Sequence, residues 1–313
     1  MDESQPYRYL FGPVPSRRLG RSLGVDLVPF KYCTFDCVYC QLGATTHKTI
    51  TREEFVPLDD VVAELERKLR TDHSPPDYIT MSGSGEPTLY SRLGELIAAI
   101  KGFTDVPVAV ITNGSLLWDP DVRASLLDAD LVVPSMDAGD RAMLQRVNRP
   151  DPRLDFDAIV EGLIAFRGEF ANQLWLEVVV LAYTSVADVE KIAAIARRAR
   201  PDRIQLNTVV RPPTESSALP VSPDRMAQFA ALFDEGAEVV ADFTRAHEEA
   251  GATATRDDVL AMLERRPCST EDIAVGLGIH RNEVVKHVGH LLDEGAIAAE
   301  SRGDVTFYVA KTG

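Results

Sequence analysis

Cys33, Cys37 and Cys40 fall within eight positions of one another. The run reads Lys31-Tyr-Cys33-Thr-Phe-Asp-Cys37-Val-Tyr39-Cys40, a C-x3-C-x2-C spacing. Three thiolates on one short loop can reach three corners of a cubane. A [4Fe–4S] cluster held by protein alone takes four cysteine ligands, so three leave one iron open to another group. Zinc sites follow the same logic: a closed ligand shell is structural and an open position is chemical. Zinc on three thiolates plus water is the alternative reading. The nearest histidine, His47, lies past Gly43 and off ligand spacing. A disulfide framework would want an even set in a secreted context, and neither is visible. Cys268, beside Pro267, reads as a small semi-buried side chain.

A second set of candidates lies at the ends of short apolar runs. Met81-Ser-Gly-Ser84-Gly85-Glu86 places a carboxylate beside glycines that let backbone approach a ligand closely. Such a carboxylate can hold an ammonium group. Thr112-Asn113-Gly114 and Ser135-Met-Asp137 offer neutral amide and hydroxyl groups and one further acid. Leu181, Asn207 and Arg211 close two later runs. Arg211 could hold an anion or simply be solvated.

The elements that must position these groups alternate. Strands are expected over 22–28, 78–81, 106–112, 131–135, 174–181 and 203–209. Helical spacing of apolar residues marks 58–69, 93–100 and 186–199, and Ser185 with Asp188 marks a helix start. Six strands each followed by a helix imply an α/β fold with a parallel sheet and right-handed crossovers. A partial (β/α)6 TIM-like barrel and an open doubly wound sheet both satisfy this pattern. All the candidate groups fall at strand C-termini, where (β/α) barrels place their sites.

The cysteine motif resembles the signature of radical S-adenosylmethionine enzymes, with Tyr39 as its aromatic position. The resemblance covers residues 8 to 215 and implies a partial barrel, a [4Fe–4S] cluster on the three cysteines and S-adenosylmethionine (SAM) as cofactor. In that family the open iron is chelated by the amino and carboxylate groups of the methionine moiety. One electron then cleaves the sulfonium bond, and a 5′-deoxyadenosyl radical abstracts hydrogen from the substrate. Ser84-Gly85-Glu86 matches the family's Gly-Gly-Glu element, with Ser84 in place of the first glycine. The resemblance makes Tyr39, Ser84, Gly85, Glu86, Thr112, Asn113, Ser135, Asp137 and Leu181 cofactor contacts. It sets Asn207 and Arg211 on the substrate side, and implies an external electron donor of the flavodoxin or ferredoxin type. The N-terminal run with Arg17 and Arg18, Glu86-Pro87-Thr88 and Val147-Asn148-Arg149-Pro150 resembles a subgroup related to wyosine-forming tRNA enzymes, of the 4-demethylwyosine synthase type. Arg17 and Arg18 join the substrate-side candidates on that basis. The sequence departs from those synthases in lacking a second set of cysteines, and Lys31 is the lysine nearest the cluster motif.

Residues 1–250 are expected to form the barrel. A helix is expected over 224–250, a linker over 251–256, and then a change of pattern. Helices around 259–263, 269–278 and 281–294, followed by a hairpin turning at Gly303-Asp304, spell a winged helix-turn-helix over 255–313. Seven Lys and Arg against ten Asp and Glu give that segment a net charge of −3. The whole chain carries −15, which disfavours nucleic acid, since its binding depends on neutralising phosphates. Docking a protein, or a lid near the barrel mouth, suits the segment better. The start of the chain is acidic and polar, and no apolar run reaches membrane length, so a cytoplasmic protein is expected. Three functions remain in view: a radical enzyme on a small molecule, peptide or protein side chain; a wyosine-related tRNA modifier; and an iron–sulfur-sensing DNA-binding regulator.

Overall fold

The computed structural model describes residues 7–16, 18–72, 75–234, 236–240, 255–277, 279, 281–302 and 305–311, with 15, 275, 282 and 302 as backbone only. An antiparallel hairpin opens the chain, β1 (Leu10–Ser16) and β2 (Gly20–Val25). Two short strands, β3 (Tyr32–Cys33) and β4 (His47–Lys48), pair within the following loop. Then strands and helices alternate: α1 (Leu58–Thr71), β5 (Tyr78–Met81), α2 (Leu93–Phe103), β6 (Val108–Thr112), α3 (Pro120–Ala124), β7 (Leu131–Pro134), α4 (Arg141–Val147), α5 (Phe156–Glu169), β8 (Gln173–Val179), α6 (Val186–Ala199), β9 (Arg203–Asn207), α7 (Pro223–Ala230) and β10 (Glu238–Val239).

The large sheet runs β1-β2-β5-β6-β7-β8-β9-β10, with every pairing from β2 onward parallel. Its strands follow chain order without reversal. A doubly wound sheet needs a reversal, at which its helices change face, and this sheet has none. Side chains alternate along each strand. Val108 and Val110 of β6, Val132 of β7 and Leu174, Leu176 and Val178 of β8 share one core with Leu65, Ile97, Leu163 and Ile192 from the helices. Their neighbours Ala109, Leu131, Val133 and Trp175 face the other way and enclose Leu19 from the β1–β2 turn. The hairpin tip thus fills the inner face of the sheet. The C-termini of the parallel strands, from β2 onward, are left at one end, where the candidate groups lie.

Each expected strand is present, with ends differing by up to three residues. Strand β1 was not expected: Gly12, Pro13 and Pro15 break its apolar alternation, and the strand is irregular between Phe11 and Val14. The helix expected over 224–250 is corrected. α7 stops at Ala230, the chain turns through Gly236 with φ +74°, and β10 then pairs with β9. The open edge of β9 offers hydrogen bonds that continued helix would forgo. Residues 241–250 and most of the expected linker lie outside the described residues. Thr255 is no linker residue; it caps the next helix in a reciprocal capping box with Asp258.

The C-terminal segment holds α8 (Arg256–Arg265), β11 (Cys268–Ser269), α9 (Thr270–Leu277), α10 (Arg281–Asp293), β12 (Ile297–Arg302) and β13 (Val305–Ala310). Its strands form an antiparallel sheet in the order β11-β13-β12. The expected turn at 303–304 lies outside the described residues. Val259, Leu263, Cys268, Ile273, Val284, Leu291 and Ile297 make a core separate from that of the large sheet. Cys268 is fully buried in it, further than its expected semi-buried place. α8 and α9 rest against β1, whose Val14 packs on this second core.

Two separate cores imply separable unfolding. Ile273 is fully buried in the smaller one, so Ile273→Ala should cost about 2–5 kcal/mol there. Hydrogen exchange should show lost protection in α8–α10, with β5–β8 unchanged. Equal loss across both cores would mean the two unfold as one unit.

Candidate active site

The cysteine loop leaves β2 and is fastened at both ends by backbone. Lys31 N donates to Ser84 O at 2.7 Å, and Glu86 N donates to Tyr32 O at 3.1 Å. Gly85 lies between these contacts. A Cβ there would fall 1.8 Å from Tyr32 O, so the two loops can lie together only if residue 85 is glycine. Further along, Asp36 N and Val38 N donate to Asn148 O and Val147 O at 2.9 and 3.0 Å. The Val147-Asn148-Arg149-Pro150 motif is therefore a clamp on the cysteine loop.

Each cysteine sulfur receives a side-chain N–H donor: Asn113 Nδ2 to Cys33 at 3.6 Å, Asn148 Nδ2 to Cys37 at 3.4 Å, and Lys31 Nζ to Cys40 at 3.1 Å, and Cys33 also accepts a backbone hydrogen bond from Phe35. Burial, and then the nearby Glu86 carboxylate, pushes the Cys33 thiol up to about 12. Burial and then Cys33 push Cys37 well above the ordinary thiol value. Loading either with metal must therefore release protons. Among the described residues, no three His, Cys, Asp or Glu side chains converge as ligands of a single ion. In a cluster each thiolate would take a different iron.

Glu86 is 2% exposed. Its Oε1 accepts from Thr112 Oγ1 at 2.5 Å and from Thr88 Oγ1 and N at 2.6 and 3.1 Å, and its Oε2 accepts from Asn113 N at 2.8 Å. All four donors are neutral. Burial raises this carboxyl above its ordinary value, and the hydrogen bonds only partly oppose that. A cation arriving at Glu86 would relieve the penalty. The same carboxylate raises Cys33, so acid and cysteine loop already sense one another.

Ser84 does not share that position. Its backbone N–H and hydroxyl both donate to Asp26, at 3.0 and 2.5 Å, and Arg265 of α8 pairs with Asp26. Asp137 is buried and fully engaged: Tyr39 Oη donates to Oδ2, Asn148 Nδ2 donates to Oδ2 at 2.8 Å, and Val179 N donates to Oδ1 at 2.8 Å. Asp137 and Tyr39 thus hold the cysteine loop against β7 and β8. Ser135 is half-buried, and with Asn113, Asp137, Asn148 and Phe35 lines a small cavity of about 10 Å³. A larger one, about 360 Å³, lies at the seam between Ser84 and α8, lined by Asp26, Phe30 and Arg265 and by none of the cysteines. Leu181 is fully buried.

The substrate-side candidates separate. Arg18 pairs with Glu177 of β8 at 2.6 Å, and Asn207 Nδ2 donates to the same carboxylate at 3.1 Å. Arg17 lies outside the described residues. Arg211 is buried, 8% exposed, and its guanidinium meets Asp272 of α9 at 3.5 Å and Gln41 at 3.3 Å. It ties the C-terminal segment to the residue after Cys40. Asp26, Lys31 and Asn148 were not assigned contacts from sequence. Lys31 lies inside the cysteine motif and Asn148 inside a motif already singled out, so the types were visible but their partners, up to 111 residues away, were not.

Residues 27–196 match the model of the Radical SAM superfamily. A protein described as GTPase Obg from Brachyspira hyodysenteriae is 36% identical over 96% of this chain, and the chain spans 45% of its length. A UPF0026 protein of Helicobacter pylori J99 is 33% identical over 96% of this chain and 97% of its own. A radical SAM methyltransferase from Sphaerobacter thermophilus shares the fold at TM-score 0.54 and 18% identity, covering 71% of this chain and 65% of that one. Streptococcus suis SuiB bound to S-adenosylmethionine matches at TM-score 0.53 and 14% identity, covering 76% and 54%.

Burial also lifts Asp137 from the ordinary carboxylate value of 3.8 to about 6. The folded protein then keeps a proton that the unfolded chain loses, so this group costs stability as pH rises from about 4 to about 6. At about 1.36 kcal/mol per pH unit the loss is on the order of 3 kcal/mol. In cluster-free protein, Asp137→Asn should gain stability relative to wild type across that window. Urea unfolding at a series of pH values checks it; parallel curves would contradict it.

Proposed function

The chain belongs to the radical S-adenosylmethionine superfamily, and from that premise we propose that it cleaves SAM reductively to start hydrogen abstraction from a substrate. It is an enzyme of a class that uses a [4Fe–4S] cluster and SAM. When bound, the cluster supplies an electron, and the cofactor, on losing its sulfonium bond, supplies the 5′-deoxyadenosyl radical. Cys33, Cys37 and Cys40 would hold three irons, and an external donor of flavodoxin or ferredoxin type would deliver the electron. Glu86 carries the reading: a buried carboxylate beside the cysteine loop, supported by neutral donors and paired with no cation among the described residues. It would take the cofactor ammonium. Asn113 and Ser135 offer amide and hydroxyl to the carboxylate and ribose. Leu181 would supply apolar surface toward adenine. Gly85 admits the close approach, and Ser84 acts behind it through Asp26. Tyr39, Thr112 and Asp137 position these groups rather than contact the ligand. Arg18, Glu177 and Asn207 are the polar groups of the inner face nearest the substrate side.

In this reading residues 1–250 form a partial (β/α)6 barrel. The order helix, strand, two helices, two strands over 255–313 is a winged helix-turn-helix module. Packing against β1, and the Arg265–Asp26 and Arg211–Asp272 pairs, support its use as a lid or docking element. The tRNA-modifying alternative keeps the support of the wyosine-like motifs but meets the net charge of −15. The regulator alternative gives Glu86 no task.

Anaerobically reconstituted protein should hold about four irons per chain and release 5′-deoxyadenosine with SAM and a reductant. Alanine at any of the three cysteines should abolish this, and Cys268→Ala should not. Glu86→Ala should weaken SAM binding roughly 10- to 150-fold, the value of a charge-assisted bond of about 1.5–3 kcal/mol, with iron content unchanged. One zinc per chain and no SAM cleavage would refute the proposal. Sub-micromolar binding of tRNA or DNA at physiological salt would favour one of the alternatives.

A further inference from the structure

Asn148 belongs to a sequence motif to which the proposed chemistry assigns no task. It caps the C-terminus of α4, where its N–H donates to Leu144 O at 2.9 Å. Its backbone and that of Val147 accept from Asp36 and Val38, on either side of Cys37. Its side-chain amide then places both hydrogens on anion-forming groups: Nδ2 stands 3.4 Å from Cys37 Sγ and 2.8 Å from Asp137 Oδ2. The residue is 2% exposed, and its Oδ1 is buried without a hydrogen-bond partner. Turning the amide over would set that oxygen against both the sulfur and the carboxylate. The orientation is therefore fixed by its two acceptors, and the unsatisfied oxygen is tolerated for the sake of the two donors.

We propose that Asn148 is a positioning residue for the cluster, whose N–H on the Cys37 sulfur stabilises the reduced form and raises its reduction potential. The proposal rests on the cysteines holding the cluster. Hydrogen bonds to the sulfurs are among the terms that set a cluster's potential. Reduction adds one electron and makes the thiolate sulfurs more negative. An N–H aimed at one of them gains energy on reduction. The Cys33 and Cys40 sulfurs have side-chain donors too, but Asn113 is a proposed cofactor contact and Lys31 donates through a basic amine, whose loss changes more than a hydrogen bond. Asn148 is a neutral amide, so its removal takes the hydrogen bond from Cys37 without removing a basic group, though it also frees Asp137 Oδ2. Its second hydrogen joins Cys37 through Asp137 to Tyr39, fixing the sulfur against β7 and β8.

The test compares wild-type, Asn148→Ala and Asn148→Leu proteins, the last filling the volume without a donor. Each is reconstituted and its iron counted. The midpoint potential is then read by electron paramagnetic resonance during a redox titration without SAM. The expected result is wild-type iron content with a midpoint shifted to more negative values in both variants. An unchanged midpoint in variants with full iron would overturn the proposal. Loss of iron from both variants would also overturn it, making Asn148 a clamp on the loop alone. A wild-type protein that takes up no cluster would instead fail the reading on which this rests. Iron content and potential keep the two failures apart.

Discussion

The contact on which the site depends is the backbone of Gly85 lying against the carbonyl of Tyr32. A side chain at residue 85 would stand 1.8 Å from that oxygen, so the approach is steric before it is chemical. It joins the cysteine loop, at the short strand β3, to the turn that follows β5. Functional loops need a rigid scaffold to hold them, and here the scaffold reaches the loop through a few backbone bonds. Lys31 and Glu86 flank the contact with one such bond each, and Val147 and Asn148 hold the far side. The sulfurs and the Glu86 carboxylate are thus set by main chain, which moves less than side chains do.

The sequence showed this arrangement unevenly. The parallel strands were legible because their apolar runs are short and bounded by helical periodicity. The cysteine spacing and the acid beside glycines were legible because they are local. What could not be read is whatever depends on tertiary approach. Asn148 touches Cys37 across 111 positions, and Asp26 meets Ser84 across 58 and Arg265 across 239. Arg211 stood at the end of the last expected strand, which favoured a substrate role. Only the packing of α9 shows that it pairs with Asp272. The helix expected over 224–250 failed for a related reason: local propensity favoured it, but β9 had an unpaired edge.

The seam between the two cores carries two Arg–Asp pairs of opposite sense. Arg265 crosses to Asp26 on the side of the large sheet, and Arg211 crosses to Asp272 of the C-terminal side. Arg211 and Asp272 are both over nine-tenths buried. Buried pairs of this kind contribute little net stability, because desolvation offsets attraction, but breaking one is costly. Their effect is to fix one docking geometry. Both anchors stand next to the chemistry: Asp26 holds Ser84 in place, and Arg211 reaches Gln41 beside Cys40. A shift of the C-terminal segment would be felt at both loops, whereas a segment serving only as a tethered reader of nucleic acid would need neither anchor.

Burial also sets the electrostatic character of the site. Cys33, Cys37, Glu86 and Asp137 are all raised above their ordinary values, in each case chiefly by desolvation. Groups that resist ionisation in isolation favour ligands that bring positive charge, since each positive charge restores part of the lost solvation. Iron at the thiolates and an ammonium at Glu86 are such ligands. An anion placed in the same position would raise every one of these groups further. At Glu86, a buried carboxylate met by four neutral donors, an arriving positive charge would restore part of the lost solvation, whereas an anion would deepen the penalty.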